Sequence, residues 1–173
     1  MASTYKLVLV GDEGIGKTAY VKSLITGEFE EMYMATLGAA VRLIELNTNR
    51  GSIRFEVWDV AGKEKFLGSH ATYCPGADCA IVMYDLTNKV SKKNVPTHIA
   101  RVRESAGDIP IVVVGNKMDA GGKFHMYLGT EESTCISVKT GHNKYAPFSL
   151  LLRDDKDLYI TQDDFNGFVV MPH

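Results

Sequence analysis

Two rhythms alternate along the chain. Short runs of β-branched and other apolar residues give way to stretches in which apolar positions recur every three or four residues, predicting strands and helices in turn. Lys6–Val10 reads as a buried strand, and Lys17–Thr26 as a helix ending near Gly27. Strands Gly38–Asn47 and Ser52–Asp59 flank Thr48-Asn49-Arg50-Gly51, a hairpin-like turn. Ala77–Asp85 and Ile109–Gly115 are apolar throughout, as expected of strands covered on both faces. Val90–Ser105 between them reads as a helix, and Thr134–Val138 as a last short strand. A closing helix is predicted over Lys144–Arg153, with Tyr145, Phe148, Leu151 and Leu152 facing the core. This order predicts an α/β fold, a mostly parallel sheet wrapped by helices with one antiparallel hairpin edge. Ligands in such sheets gather at the carboxyl ends of the strands.

Length and composition narrow the picture. A chain of 173 residues suffices for one domain that buries about 70% of its unfolded surface. The predicted domain is 1–153; the stretch 154–173 carries five aspartates with little periodicity and reads as a short acidic tail. A net charge of −2 argues against a nucleic-acid surface. Cys74, Cys79 and Cys135 form neither an even disulfide framework nor a C-x-x-C site, which fits reduced thiols. The histidines are scattered without ligand spacing and read as surface or internally satisfied groups. No signal-like segment, membrane-length apolar run or lipidation motif is expected at either end, so a soluble, monomeric protein without a membrane partner is predicted.

The chemistry concentrates at strand ends. Gly11-Asp12-Glu13-Gly14-Ile15-Gly16-Lys17-Thr18 follows the first strand and opens the first helix, the setting a phosphate-binding G-x-x-x-x-G-K-[ST] loop requires. Gly11 and Gly16 allow successive backbone N–H groups to turn toward an anion, and the helix N-terminus adds its positive dipole end. Lys17 is placed to reach the outer phosphates and the Thr18 hydroxyl to ligate Mg²⁺. Residues 12–19, from Asp12 to Ala19, form the candidate phosphate site. Trp58-Asp59-Val60-Ala61-Gly62 ends a later strand. Asp59 is suited to the Mg²⁺ site, and the Gly62 N–H to a terminal phosphate. Asn116-Lys117-Met118-Asp119 ends another, its aspartate matched to the guanine N1–H and 2-amino group, which adenine lacks. Ser137-Val138-Lys139 closes the set, with backbone N–H groups for guanine O6.

Together these motifs resemble those of the Ras-superfamily small GTPases. Within that superfamily the chain is most similar to the Ran branch, from about Tyr5 to Arg153. Thr26-Gly27-Glu28-Phe29-Glu30, Tyr33-Met34-Ala35-Thr36-Leu37-Gly38 and Thr48-Asn49-Arg50-Gly51 carry that likeness. So do Glu64-Lys65-Phe66, Lys93-Asn94-Val95-Pro96 and Ile109-Pro110-Ile111-Val112. The resemblance implies a small G domain of the P-loop NTPase class: a six-stranded, mostly parallel sheet with one antiparallel edge strand and helices on both faces. It implies GTP/GDP and Mg²⁺ as cofactors, and Phe29 with the Lys117 stem enclosing guanine. Thr36 would join Thr18 and Asp59 at the metal and sense the γ-phosphate. Residues Glu30, Glu31, Met32, Tyr33, Met34, Ala35 and Thr36 would form a first switch, and residues 59–75 a second. Importin-β-class carriers and Ran regulators are the implied partners, nucleus and cytoplasm the implied location, and nucleocytoplasmic transport the implied process.

The departures bear on catalysis. Lys63 stands where the resemblance implies a water-positioning glutamine, and an ammonium group cannot accept a proton from water. Glu13 stands at a position the family gives to glycine. The two are expected to pair beside the γ-phosphate and suppress hydrolysis, against an alternative in which both side chains swing into solvent and residual activity survives. Intact Ras hydrolyses GTP at only on the order of 10⁻⁴ s⁻¹ unaided, and an activator adds roughly 10⁵-fold. Val138 replaces the family's usual alanine. The segment Ala120–Ser133 is short, lacks a Ran-type basic cluster and carries Glu131 and Glu132 instead, which bears on some partner contacts. Two readings stay open: a GTP-dependent transport switch, or a pseudo-GTPase adaptor or competitor that binds nucleotide without switching. A vesicle-traffic role is disfavoured by the lack of a C-terminal lipid site.

Overall fold

The computed structural model describes residues 3–26, 39–48, 51–62 and 69–153. Its strands are β1 (Ser3–Gly11), β2 (Ala39–Thr48), β3 (Gly51–Val60), β4 (Cys79–Asp85), β5 (Ile111–Asn116) and β6 (Glu132–Cys135). Its helices are α1 (Lys17–Thr26), α2 (Ser69–Tyr73), α3 (Lys89–Ala106) and α4 (Ala146–Leu151). The strands form one sheet in the order β2-β3-β1-β4-β5-β6. β2 pairs antiparallel with β3, and every other neighbouring pair is parallel. This is the predicted six-stranded architecture with its one antiparallel edge.

Alternation along β1 divides the core. Leu7 and Leu9 point to one face, where they join Tyr20, Leu24, Phe55, Phe148 and Leu151 under α1 and α4. Val8 and Val10 point to the other, with Val82, Val95, Ile99 and Val102 under α3. All seven residues of β4 and all six of β5 are buried, as their unbroken apolar runs require. The Asn88 side chain caps α3 by accepting from the backbone N–H groups of Val90 and Ser91 at 2.9 and 3.2 Å.

The predicted boundaries shift where a backbone donor is lost or redirected. β5 begins two residues late because Pro110 has no N–H for the ladder. β6 runs earlier than Thr134–Val138: Ser137 turns off the sheet and its N–H donates to His142 O at 3.0 Å. α4 is shorter than Lys144–Arg153, starting after Asn143, whose φ of 54° is left-handed, with Pro147 in its first turn. α2 is an addition, since five residues are too few for helical periodicity to show. Gly38 and the tail 154–173 lie outside the described residues. No helix among the described residues is long and apolar enough to cross a membrane.

Phe148 closes the α1/α4 side. Fully buried, it meets the Phe55 ring edge-on at 5.2 Å between centroids and packs 6.5 Å from Tyr20. Phe148→Ala is expected to destabilise the fold by about 3–5 kcal/mol, read as a shift in the urea unfolding midpoint at unchanged slope.

Candidate functional site

The register of the sheet brings the sequence motifs to one edge. Leu9 lies beside Asp59, Gly11 beside Met83, and Asp85 beside Asn116, so the ends of β1, β3, β4 and β5 meet. The loop Asp12–Gly16 bridges the end of β1 to the start of α1. Gly16 adopts a φ of +103°, and a Cβ there would collide with the Asn116 side chain.

Lys17 lies in the fold of this loop, 6% exposed. Its Nζ donates to Gly11 O at 2.8 Å and Asp12 O at 2.6 Å. Burial pulls its pKa down to about 8, against the opposing pull of Asp59, Asp12 and Glu13. An ammonium group held by two carbonyls is poised to exchange them for anionic oxygens. Ile15 is buried beneath the loop, Gly14 and Glu13 are exposed, and Ala19 packs against the core from the first turn of α1.

Thr18 and Asp59 meet beside Lys17. Thr18 Oγ1 donates to Asp59 Oδ2 at 2.5 Å. Asp59 is 2% exposed, and its Oδ1 has no hydrogen-bond partner among the described residues. Burial raises its pKa, opposed by Thr18, Lys17 and Arg42. A buried, half-satisfied carboxylate against a hydroxyl suits a hard cation that takes oxygen ligands, and Mg²⁺ fits. Thr18 and Asp59 would hold it, and the ion would neutralise phosphate charge. Gly62 sits directly on the phosphate loop: a Cβ there would lie 2.5 Å from Glu13 N and 2.6 Å from Gly11 O.

Asn116 binds the loops to one another. Its Nδ2 donates to Ile15 O at 2.9 Å, and its Oδ1 accepts from Val138 N at 3.1 Å. The Val138 N–H, one of the donors expected to face guanine, is thus engaged inside the protein. Lys117 takes a left-handed φ of 69°; its Nζ pairs with Asp85 Oδ2 at 2.8 Å and donates to Gly14 O at 3.2 Å. Burial works to raise the Asp85 pKa, but Lys117 and the Thr87 backbone and hydroxyl donors outweigh it and hold the carboxyl below the usual value. Ser137 Oγ donates to Asp119 Oδ1 at 2.6 Å and accepts from Thr140 N at 3.1 Å. Asp119 lies in a 3-10 turn, Met118–Ala120, and together with Met118 and Lys139 faces solvent. The expected site residues of the phosphate, base and metal motifs therefore share one edge, while Phe29, Glu30, Glu31, Met32, Tyr33, Met34, Ala35, Thr36 and Lys63 lie outside the described residues.

The contacts of Asp12 have no motif in the sequence. Asp12 reaches across to α3, where its Oδ2 accepts from Asn94 Nδ2 and its Oδ1 from His98 Nε2, each at 2.8 Å. Burial works to raise the Asp12 pKa, but the His98 and Asn94 hydrogen bonds outweigh it and hold the carboxyl low. His98 Nδ1 faces His70 Nε2 of α2 at 3.3 Å. Burial lowers His70 to about 4, aided by His98, Arg101 and Lys17, so it is neutral at pH 7. These histidines are separated by 28 positions and only the packing of α2 on α3 unites them. Asp85 was equally unmarked, a polar end to an apolar run.

Compared with protein-family models, the chain matches that of the Ras family over residues 6–149. It belongs to the Ras family of small GTPases, P-loop proteins that act as GTP-binding switches and bind guanine nucleotide with Mg²⁺.

Two measurements follow from this geometry. Asp59→Ala is expected to raise the Mg²⁺ concentration needed to slow release of a fluorescent guanine nucleotide by about 10- to 100-fold; an unchanged Mg²⁺ dependence removes Asp59 from the metal site. His70 has a folded pKa of about 4 against an ordinary 6.5, so on acidification the unfolded chain takes up a proton that the folded protein refuses. Stability is accordingly expected to fall between pH 7 and 5.5 by on the order of 1 kcal/mol. His70→Phe flattens this dependence in urea titrations; an equal slope in both proteins places the effect elsewhere.

Proposed function

We propose that this protein is a Ran-type switch whose GTP-bound form binds importin-β-class carriers in nucleocytoplasmic transport, moving between nucleus and cytoplasm, and whose GTP hydrolysis is suppressed by Glu13 and Lys63. The Ran-like segments of the sequence support the branch. One structural observation supports the catalytic part: in the phosphate loop the Glu13 backbone lies against Gly62, and its carboxylate adds the weakest of three pulls that favour a charged Lys17. A carboxylate in that position disfavours the extra negative charge of a γ-phosphate unless a cation offsets it. Lys63, one residue beyond Gly62 and its seat on the loop, supplies that cation in this reading while forfeiting the glutamine's hold on water.

Single-turnover hydrolysis tests the catalytic part. The double variant Glu13→Gly with Lys63→Gln is expected to hydrolyse bound GTP at least about tenfold faster than the native protein, toward the slow intrinsic rate of Ras. Equal rates reject the suppressed site. For the switch itself, capture of an importin-β-class carrier should be at least about tenfold stronger with a GTP analogue than with GDP, because only differential affinity moves a two-state equilibrium. Equal capture with both nucleotides replaces the switch with an adaptor that does not read its nucleotide.

A further inference from the structure

Asp12 belongs to the phosphate loop, yet its side chain is directed away to α3. We propose that His98 is a positioning residue and that the chain Asp12–His98–His70 is a strut joining the phosphate loop to α2, so that displacement of α2 loosens the grip on bound nucleotide. The proposal rests on the nucleotide-switch reading above and assigns that site its mechanical link to α2.

Donor and acceptor roles along the strut follow from its ends. An ionised Asp12 carboxylate only accepts, so His98 Nε2 carries the hydrogen of the 2.8 Å contact. In neutral His98, Nδ1 is then a bare acceptor, and the hydrogen of the 3.3 Å contact resides on His70 Nε2. That leaves His70 Nδ1 as the remaining lone pair, and it is a buried atom without a partner among the described residues. The ring centroids lie 5.4 Å apart with planes 26° from parallel, so the two rings lie edge to edge across this contact. Both histidines are buried, at 7% exposure each. Asn94 adds a second donor from α3 to the other Asp12 oxygen.

The strut acts on the loop through its backbone. The carbonyl of Asp12 is the nearer of the two oxygens holding Lys17, so rotation of Asp12 shifts the partner of the lysine that faces the phosphates. The same residue's carboxylate, if released, would be free to approach those phosphates and repel them. At the opposite end, α2 lies within the segment that the family resemblance assigns to the second switch, and His70 is its buried polar contact to α3. A protein that draws α2 off α3 removes His70 from His98, frees the ring to turn, and withdraws a donor from Asp12. Gly62 contacts the loop directly from the end of β3; the strut supplies a second route that does not pass through a terminal phosphate, and so operates with GDP as well.

Release of a fluorescent GDP from the full chain, at saturating Mg²⁺, tests the strut. His98→Phe, which retains a buried ring but neither nitrogen, is expected to release nucleotide about tenfold faster than the native protein. His98→Gln restores a donor to Asp12 and should bring release back to within about threefold of native, a rescue that ring packing alone does not give. His70→Phe should accelerate release, and combining it with His98→Phe should add little, since both cut one chain. If His98→Phe does not fold, the His98→Gln and His70→Phe variants carry the same comparison. Nitrogen-15 shifts of the imidazoles supply a reading independent of kinetics: hydrogen on Nε2 of both residues is expected. A native-like release rate in His98→Phe and His70→Phe, or hydrogen on His98 Nδ1 with Nε2 bare, overturns the strut. Failure of the native protein to hold any guanine nucleotide overturns the switch reading instead.

Discussion

A single buried carboxamide holds the candidate site together. Asn116, 3% exposed at the end of β5, grips the phosphate loop at Ile15 O and the post-β6 turn at Val138 N. Each of these segments connects elements that the sheet alone leaves several residues apart. With both ends of its amide used inside the protein, Asn116 ties the phosphate loop to the turn after β6. Gly16 is glycine for the same reason, because the carboxamide occupies the space a Cβ needs. The neighbouring Lys117 adds a second tie, from Asp85 to Gly14 O.

Around this clasp the protein carries polar groups whose burial is unfavourable by itself. Lys17 is buried against carbonyl oxygens, and one Asp59 oxygen has no partner among the described residues. Such groups reduce the stability of the unliganded fold and strengthen its interaction with ligands that satisfy them. The fold tolerates this because the sheet beneath is apolar on both faces, with β4 and β5 buried throughout. Glu13 adds a further charge at the same edge. Its carboxylate favours the charged form of Lys17, with Asp59 and Asp12 pulling the same way.

The turn of residues 12–16 was legible because it depends on local spacing: a turn of fixed length between a strand and a helix has a residue-by-residue signature. The strands were legible for a related reason, since a parallel strand covered on both faces is apolar without interruption. The ends of elements were harder. β6 stops where Ser137 exchanges a sheet partner for His142, and α4 starts late at a left-handed Asn143, both choices made by backbone bonding that no side-chain pattern advertises. His70 and His98 read as scattered histidines because their relation is across helices.

The amino-acid sequence by itself determined the class of fold and the phosphate loop, because periodicity and motif spacing are properties of neighbouring residues. Only the tertiary structure decided that Asp12 turns away from the loop to meet Asn94 and His98, that His70 is held neutral behind them, and that Asn116 spends both ends of its amide internally. These contacts join residues separated by 22 to 101 positions. Their partners and their burial exist only once α2, α3 and the strand ends have packed against one another.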